Sequence, residues 1–187
     1  MFQFNRHRDL SGLHAPFSPS QSSWLRYSDE KLVETYDNKR AAERGSRLHA
    51  WAKETIDLRI KQPRSNRTLS AYVNDAIGFE MDTEVVLFYS PRFFGTADAI
   101  SFRDNRLRIH DLKTGKTKVD MEQLMVYAAF FCLEYKIRPE NLEDIELRIY
   151  QNDEVLVHKP TNEDIVQIMK TIIRFDKILE ERMSEEV

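Results

Sequence analysis

The spacing of apolar residues predicts four long helices in this chain. In each segment apolar side chains recur every three or four residues, the period of a helix with one buried face. The predicted segments are 29–60, 68–79, 120–136 and 162–183. The first is expected to break near Asp37 and Asn38. It also contains Gly45, and a glycine inside a helix favours close packing or the close approach of a ligand.

Strand patterns occupy the middle and the later part of the chain. Short runs rich in β-branched and aromatic residues are separated by turn-forming pairs, of which Asp104-Asn105 and Asn152-Asp153 are expected to close hairpins. The predicted strands are 82–89, 94–102, 106–112, 145–150 and 155–159. This order of elements predicts an α/β fold with a central mixed five-stranded sheet flanked by helices.

The first hairpin carries an unusual set of charges. Asp98 lies inside one strand, while Asp111 and Lys113 lie at the end of the next. Period two places Asp111 and Lys113 on one face and Leu112 on the other, and a hairpin register could bring Asp98 beside Asp111. Charges on a mostly apolar hairpin are costly unless they are compensated. A divalent cation would compensate them, because hard cations prefer carboxylate oxygens.

Each of these residues also has an ordinary structural interpretation. Asp98 and Asp111 could be cross-strand partners of arginines such as Arg106 and Arg108. His49 could be a hydrogen-bonded core histidine on its helix. Further along, Gln123 could be a surface residue and Tyr127 a core residue, and these alternatives stay open at the level of sequence.

Composition favours a single soluble globular domain over residues 1–187, with 1–17 as an N-terminal extension. Hydrophobic residues make up 41% of the chain and charged residues 32%, which is typical of a folded protein and not of a disordered one. The single cysteine, Cys132, excludes an internal disulfide framework and a four-cysteine iron–sulfur cluster. It favours a reducing, cytoplasmic location. No apolar run approaches the length of a membrane span, so no membrane partner is expected.

The net charge of −3 does not indicate a nucleic-acid-binding protein, but local basic groups matter more than the total. Four basic residues could either contact phosphates or be solvated surface charges: Arg44, Arg47, Lys116 and Lys118. Gly115-Lys116-Thr117 resembles the end of a phosphate-binding Walker loop. The earlier glycine of that motif would fall at His110, so no ATP site is expected.

Four short motifs, in order along the chain, resemble the PD-(D/E)xK nuclease superfamily. They are Gly45 to His49, Gly95 to Asp98, Ile109 to Lys113, and Gln123 to Tyr127. The closest similarity is to the RecB-like exonuclease branch, whose signature is G-x-x-D, D-x-K and Q-x-x-x-Y, and within it to stand-alone members of the phage type. The resemblance implies a restriction-endonuclease-like core.

The resemblance also implies roles for individual residues. A magnesium or manganese ion, or two, would be held by His49, Asp98, Asp111 and the backbone carbonyl of Leu112. Lys113 would orient the attacking water and stabilise the charged transition state. Gln123 and Tyr127, at i and i+4 on one helix, would contact DNA or support the site. Glu84 would be an accessory acid.

The function implied is a metal-dependent DNA exonuclease acting in recombination, repair or replication. Its partners would be DNA with a free end and a recombination or replication protein. Bases of the threaded end could stack on Trp51, Tyr72 or Phe93. The alternatives are an endonuclease of the same fold that cuts flaps or junctions, and a DNA-binding module that has lost catalysis.

Overall fold

The structure, a computed structural model, describes residues 8–10, 12, 15–115 and 117–185. The chain divides into two compact units, Met1–Ser46 and Arg47–Val187. The single domain expected from the sequence is not tested by this division and stays a prediction. Among the described residues, no helix combines the length and the apolar character needed to cross a membrane.

The first unit contains two short 3-10 helices, Arg8–Leu10 and Pro19–Arg26, and the beginning of helix α1 (Asp29–Asp57). Helix α1 is continuous, so the interruption predicted near Asp37 and Asn38 is wrong. Each of these two residues costs a helix only a few tenths of a kcal/mol, and propagation from the neighbouring turns is enough to offset that cost.

The second unit is built on a five-stranded mixed sheet flanked by helices, which confirms the predicted fold class. The strands are β1 (Asp82–Ser90), β2 (Phe93–Arg103), β3 (Arg106–Leu112), β4 (Asp144–Gln151) and β5 (Glu154–His158). They lie in sequence order, and only the β3–β4 pair is parallel. Both predicted hairpin turns are present, with positive φ at all four of their residues, as type I′ turns require.

Three further helices complete the second unit. They are α2 (Thr68–Gly78), α3 (Glu122–Glu134) and α4 (Asn162–Glu185), and a short 3-10 helix, Pro139–Asn141, precedes β4. Helices α3 and α4 cover one face of the sheet, where Leu107 and Ile109 of β3 are buried. Helix α2 and the last turns of α1 cover the other face, where Leu112 and Tyr150 are buried. Strand β3 therefore contributes to both layers and is a central strand.

A polar network lies on the face covered by α2. Tyr150 donates a hydrogen bond to Asp75 Oδ2 at 2.7 Å and contacts His110 Nδ1 at 3.2 Å, while Arg148 pairs with Asp75 at 2.8 Å. Among the described residues, His110 Nε2 has no hydrogen-bond partner. Burial lowers the pKa of His110 to about 3, so this imidazole is neutral in the folded protein.

Candidate metal centre

The ladder between β1 and β2 is interrupted where Glu84 and Asp98 face each other, and its register shifts again between Phe88 and Ser90. Thr83 pairs with Ala99 and Val85 pairs with Ala97, so Glu84 and Asp98 lie between two regular pairs. Glu84 has a φ of 51°, in the left-handed region, which is unusual for a non-glycine residue in a strand. Such conformations cost about 1–3 kcal/mol and occur most often at functional sites.

The distortion changes the face to which side chains point. Ala97 is buried beneath α3, whereas Ala99, two residues on, is buried on the opposite face against α2. A regular strand would keep residues two apart on the same face. The break in alternation occurs at Asp98, and it allows this carboxylate to reach groups that a regular strand would keep apart.

His49, Glu84 and Asp98 converge at this point. Each offers one ligand atom, and the three atoms lie within 4.8 Å of one another. His49 reaches the sheet from α1, with Nδ1 3.4 Å from Asp98 Oδ2. The contact with Asp98 raises the pKa of His49 above its ordinary value, because the carboxylate favours the charged imidazole.

Asp98 is held in place by the neighbouring strand. Its Oδ2 accepts a hydrogen bond from the Leu112 backbone N–H at 2.9 Å. Ala99 pairs with His110 at the end of the regular β2–β3 ladder, so Asp98 lies one residue beyond the last regular pair. The hairpin register expected to bring Asp98 beside Asp111 stays a prediction. The metal-binding role of the Leu112 carbonyl stays a prediction.

Asp111 lies next to this group but outside it. Its side chain is buried, with the residue only 4% exposed. The Lys113 ammonium lies 3.1 Å from Oδ1 and 3.0 Å from Oδ2, yet among the described residues Oδ2 makes no hydrogen bond of good geometry. Burial and the charge of Asp98 raise the pKa of Asp111, and Lys113 opposes this rise. A buried carboxylate with an unsatisfied oxygen retains capacity for a further cationic partner.

Lys113 also connects the site to α3. It donates to Gln123 Oε1 at 2.8 Å, and Gln123 Nε2 donates to Tyr127 Oη at 3.2 Å. The arginine interpretation of the aspartates is wrong, because Arg106 pairs with Glu143 and Arg108 lies 3.6 Å from Glu146. The residues named by the D-x-K and Q-x-x-x-Y motifs therefore form one connected array.

The donor set of the converging group fits a metal ion. One imidazole nitrogen and two carboxylates can surround a divalent cation, and Asp111 supplies more negative charge beside them. The sequence assigned Glu84 only an accessory role and gave Asp111 a ligand role. The structure places Glu84 in the converging group with His49 and Asp98, whereas Asp111 lies beside the group. No local sequence pattern indicates the left-handed conformation of Glu84.

The residues predicted to contact DNA do not all lie in the same unit of the chain. Arg47 and Lys118 are exposed in the second unit, Arg44 is exposed in the first, and Lys116 lies outside the described residues. Of the proposed stacking aromatics, Tyr72 is wrong, because it is 3% exposed and packs edge-on against Tyr150.

The other two aromatics differ in exposure. Trp51 is 41% exposed on α1, whereas Phe93 is partly buried against the core beneath α3. Trp51 is therefore the most exposed of the three aromatic residues.

Comparison with known proteins gives a family and no activity. No curated protein and no solved structure matches the chain. The family model described as "Protein of unknown function (DUF2800)" matches residues 77–175. The match spans more than half of the chain and includes the Glu84, Asp98, Asp111 and Lys113 positions, while His49 precedes it. The chain therefore belongs to the DUF2800 family of proteins of unknown function.

Proposed function

We propose that this protein is a metal-dependent DNA exonuclease that hydrolyses phosphodiester bonds in recombination, repair or replication. The observation that carries the proposal is the convergence of His49, Glu84 and Asp98 at a distorted point of the sheet. The buried Asp111–Lys113 pair lies beside that point. An acidic site with an adjacent ammonium supports hydrolysis of an anionic ester better than it supports a purely structural ion site.

Magnesium or manganese is the cofactor we assign to the site. His49, Glu84 and Asp98 would hold it, with Asp111 as a further carboxylate. When bound, a divalent cation supplies Lewis-acid activation of water and neutralises charge on the phosphate. Carboxylate ligands suit both ions, and the imidazole of His49 favours manganese.

Lys113 provides the positive charge that the chain itself brings to the reaction. Its ammonium is fixed between the Asp111 carboxylate and Gln123 Oε1, so its position does not depend on substrate. A preorganised cation of this kind stabilises charge that develops on the phosphate oxygens and orients the attacking water. Such stabilisation costs no reorganisation of the site during the reaction.

Tyr127 is set to donate a hydrogen bond to the substrate. The lysine ammonium can only donate, so the atom of Gln123 that faces Lys113 must be Oε1, and Nε2 then faces Tyr127. Tyr127 Oη therefore accepts from Gln123, and its own proton has no acceptor among the described contacts. A phosphate oxygen of DNA is an acceptor of suitable charge for this proton.

The exposed basic residues would contact DNA away from the reacting bond. Arg47 and Lys118 are the members of this set that the second unit presents to solvent. Phosphate contacts of this type make binding fall steeply with salt and carry no sequence information. Attack from a free end is proposed from the resemblance to the RecB-like branch.

The test is an assay with end-labelled linear DNA and covalently closed circular DNA, in manganese, in magnesium and with a chelator. The proposal expects metal-dependent release of nucleotides from linear DNA and intact circles. Equal cutting of circles would contradict end-directed action, and a defined cut in a flap or junction would assign the endonuclease alternative. DNA binding with no turnover in either metal would assign the binding-module alternative.

A further inference from the structure

Gly95 lies in β2, directly beneath an aromatic ring of α3. It pairs with Leu87, which is buried in the core under α3. A Cβ atom at this position would lie 2.8 Å from Tyr127 Cε1 and 3.5 Å from Tyr127 Oη. The φ of Gly95 is outside the left-handed region, so any residue could adopt its backbone. What glycine provides here is space for the ring.

The ring that occupies this space is the last member of the array that holds Lys113. The Gln123–Tyr127 hydrogen bond is 3.2 Å long, at the upper end of the normal range, while the Lys113–Gln123 bond is 2.8 Å. A methyl group on residue 95 would have to move the ring by several tenths of an ångström to reach ordinary contact distance. That displacement is enough to weaken the longer bond, and Gln123 would then lose one of the two partners that fix its amide.

We infer that Gly95 is a positioning residue for the Lys113 ammonium, acting through Tyr127 and Gln123. This inference rests on the proposed nuclease function and deepens it. Gly95 is not a ligand of the proposed metal, because His49, Glu84 and Asp98 provide the converging atoms. A change at Gly95 should therefore affect mainly the chemical step and leave metal affinity unchanged.

The test combines Gly95→Ala with two changes of its partner. In the wild-type background, Gly95→Ala should lower kcat on the order of tenfold to a hundredfold and change KM much less, because small displacements of positioning groups act mainly on the chemical step. In a Tyr127→Phe background the hydroxyl is already absent, and in a Tyr127→Leu background the Cε1 atom is absent. In both, the same change should lower kcat by less than about twofold.

The control is Gly78→Ala at the end of α2, where an added Cβ would meet no atom within 4 Å. It should leave kcat unchanged. Equal losses from Gly95→Ala in all three backgrounds would mean that substrate approaches the glycine directly, and this would overturn the inference. No loss in the wild-type background would overturn it too.

A second measurement does not need activity and separates this inference from the proposed function. The side-chain amide signals of Gln123, identified by their absence in Gln123→Ala, report its hydrogen bonds in an NMR spectrum. They should shift in Gly95→Ala and stay in place in Gly78→Ala, even if the protein cuts no DNA. Unshifted signals in Gly95→Ala would overturn the inference. If Gly95→Ala fails to fold, the Gly95→Ala/Tyr127→Leu double variant should fold, and its failure to do so would also overturn the inference.

Discussion

Asp111 lies near the end of β3 and Lys113 directly follows its last residue, and the two side chains are buried to different extents. Asp111 is almost fully buried, whereas Lys113 extends past the strand end to α3. Alternation along β3 makes this arrangement predictable from sequence, since residues 111 and 113 must share a face. The side-chain contacts of Glu84 could not be predicted in the same way, because they depend on one backbone angle.

The first prediction concerns this pair. Asp111→Asn and Lys113→Met should each reduce metal-dependent cleavage by about 10²–10³-fold, the usual cost of losing one preorganised charge at a reacting centre. Both replacements approximate the original shapes, so far-ultraviolet circular dichroism should stay as in the wild type. Lys177→Met, on the exposed part of α4, is the matched control for the loss of a positive charge. Wild-type rates in both site variants would mean that the site is elsewhere.

Glu84 provides the second prediction at this scale. Glu84→Gln should weaken manganese binding by roughly tenfold or more in a calorimetric titration. Loss of a residue that only hydrogen-bonds to a metal ligand commonly lowers metal affinity by about tenfold to a hundredfold, and loss of a ligand should cost at least as much. Glu154→Gln, an exposed acid on β5, removes the same charge far from the group and should leave binding unchanged. Unaltered affinity in Glu84→Gln would remove this residue from the ligand set.

Among the elements, the β1–β2 hairpin combines two residues of the candidate metal site, Glu84 and Asp98, with a backbone irregularity. The sequence pattern located both strands within one residue at each end. It could not locate the left-handed residue, because nothing distinguishes glutamate 84 from the polar residue of an alternating strand. In helix α1 the sequence predicted an irregularity that the structure does not have. Asp37 and Asn38 are weak helix formers, but they do not end a helix that the neighbouring turns stabilise.

The irregularity leads to a stability prediction for β1. At Glu84, glycine removes a left-handed strain of about 1–2 kcal/mol and adds a backbone entropy cost of about 0.5–1 kcal/mol. Glu84→Gly should therefore keep or slightly raise the free energy of unfolding while manganese binding is lost. Val86→Gly, two residues along the same exposed strand, has no strain to relieve and should lower stability by about 1 kcal/mol. Denaturant unfolding of both variants measures the difference, and equal losses would show that residue 84 is unstrained.

The second unit contains two polar groups, and each is assembled from several elements. The converging acids lie at the distorted hairpin, and the His110–Tyr150–Asp75 network lies beneath α2. The sequence predicted a mixed five-stranded sheet flanked by helices, because hydrophobic periodicity carries that information. It did not predict the network, because its members come from α2, β3 and β4 and meet only after the sheet has formed.

The network makes the stability of the whole molecule depend on pH. His110 is neutral and fully buried in the folded protein, where burial lowers its pKa to about 3. In the unfolded chain its pKa is about 6.5. The unfolded state therefore binds more protons between these values, and the free energy of unfolding falls as the pH drops below about 6.5. This single group should remove about 2 kcal/mol between pH 7 and pH 5.

Denaturant titrations at pH 7 and pH 5 measure this loss. His110→Phe removes the titrating group and keeps an aromatic ring beside Phe79 and Tyr150, so its stability should change by about 2 kcal/mol less over the same interval. The comparison uses the pH slope and not the absolute stability, so a general cost of replacing His110 does not obscure it. Equal slopes in wild type and His110→Phe would mean that His110 titrates in the folded protein much as it does in the unfolded chain.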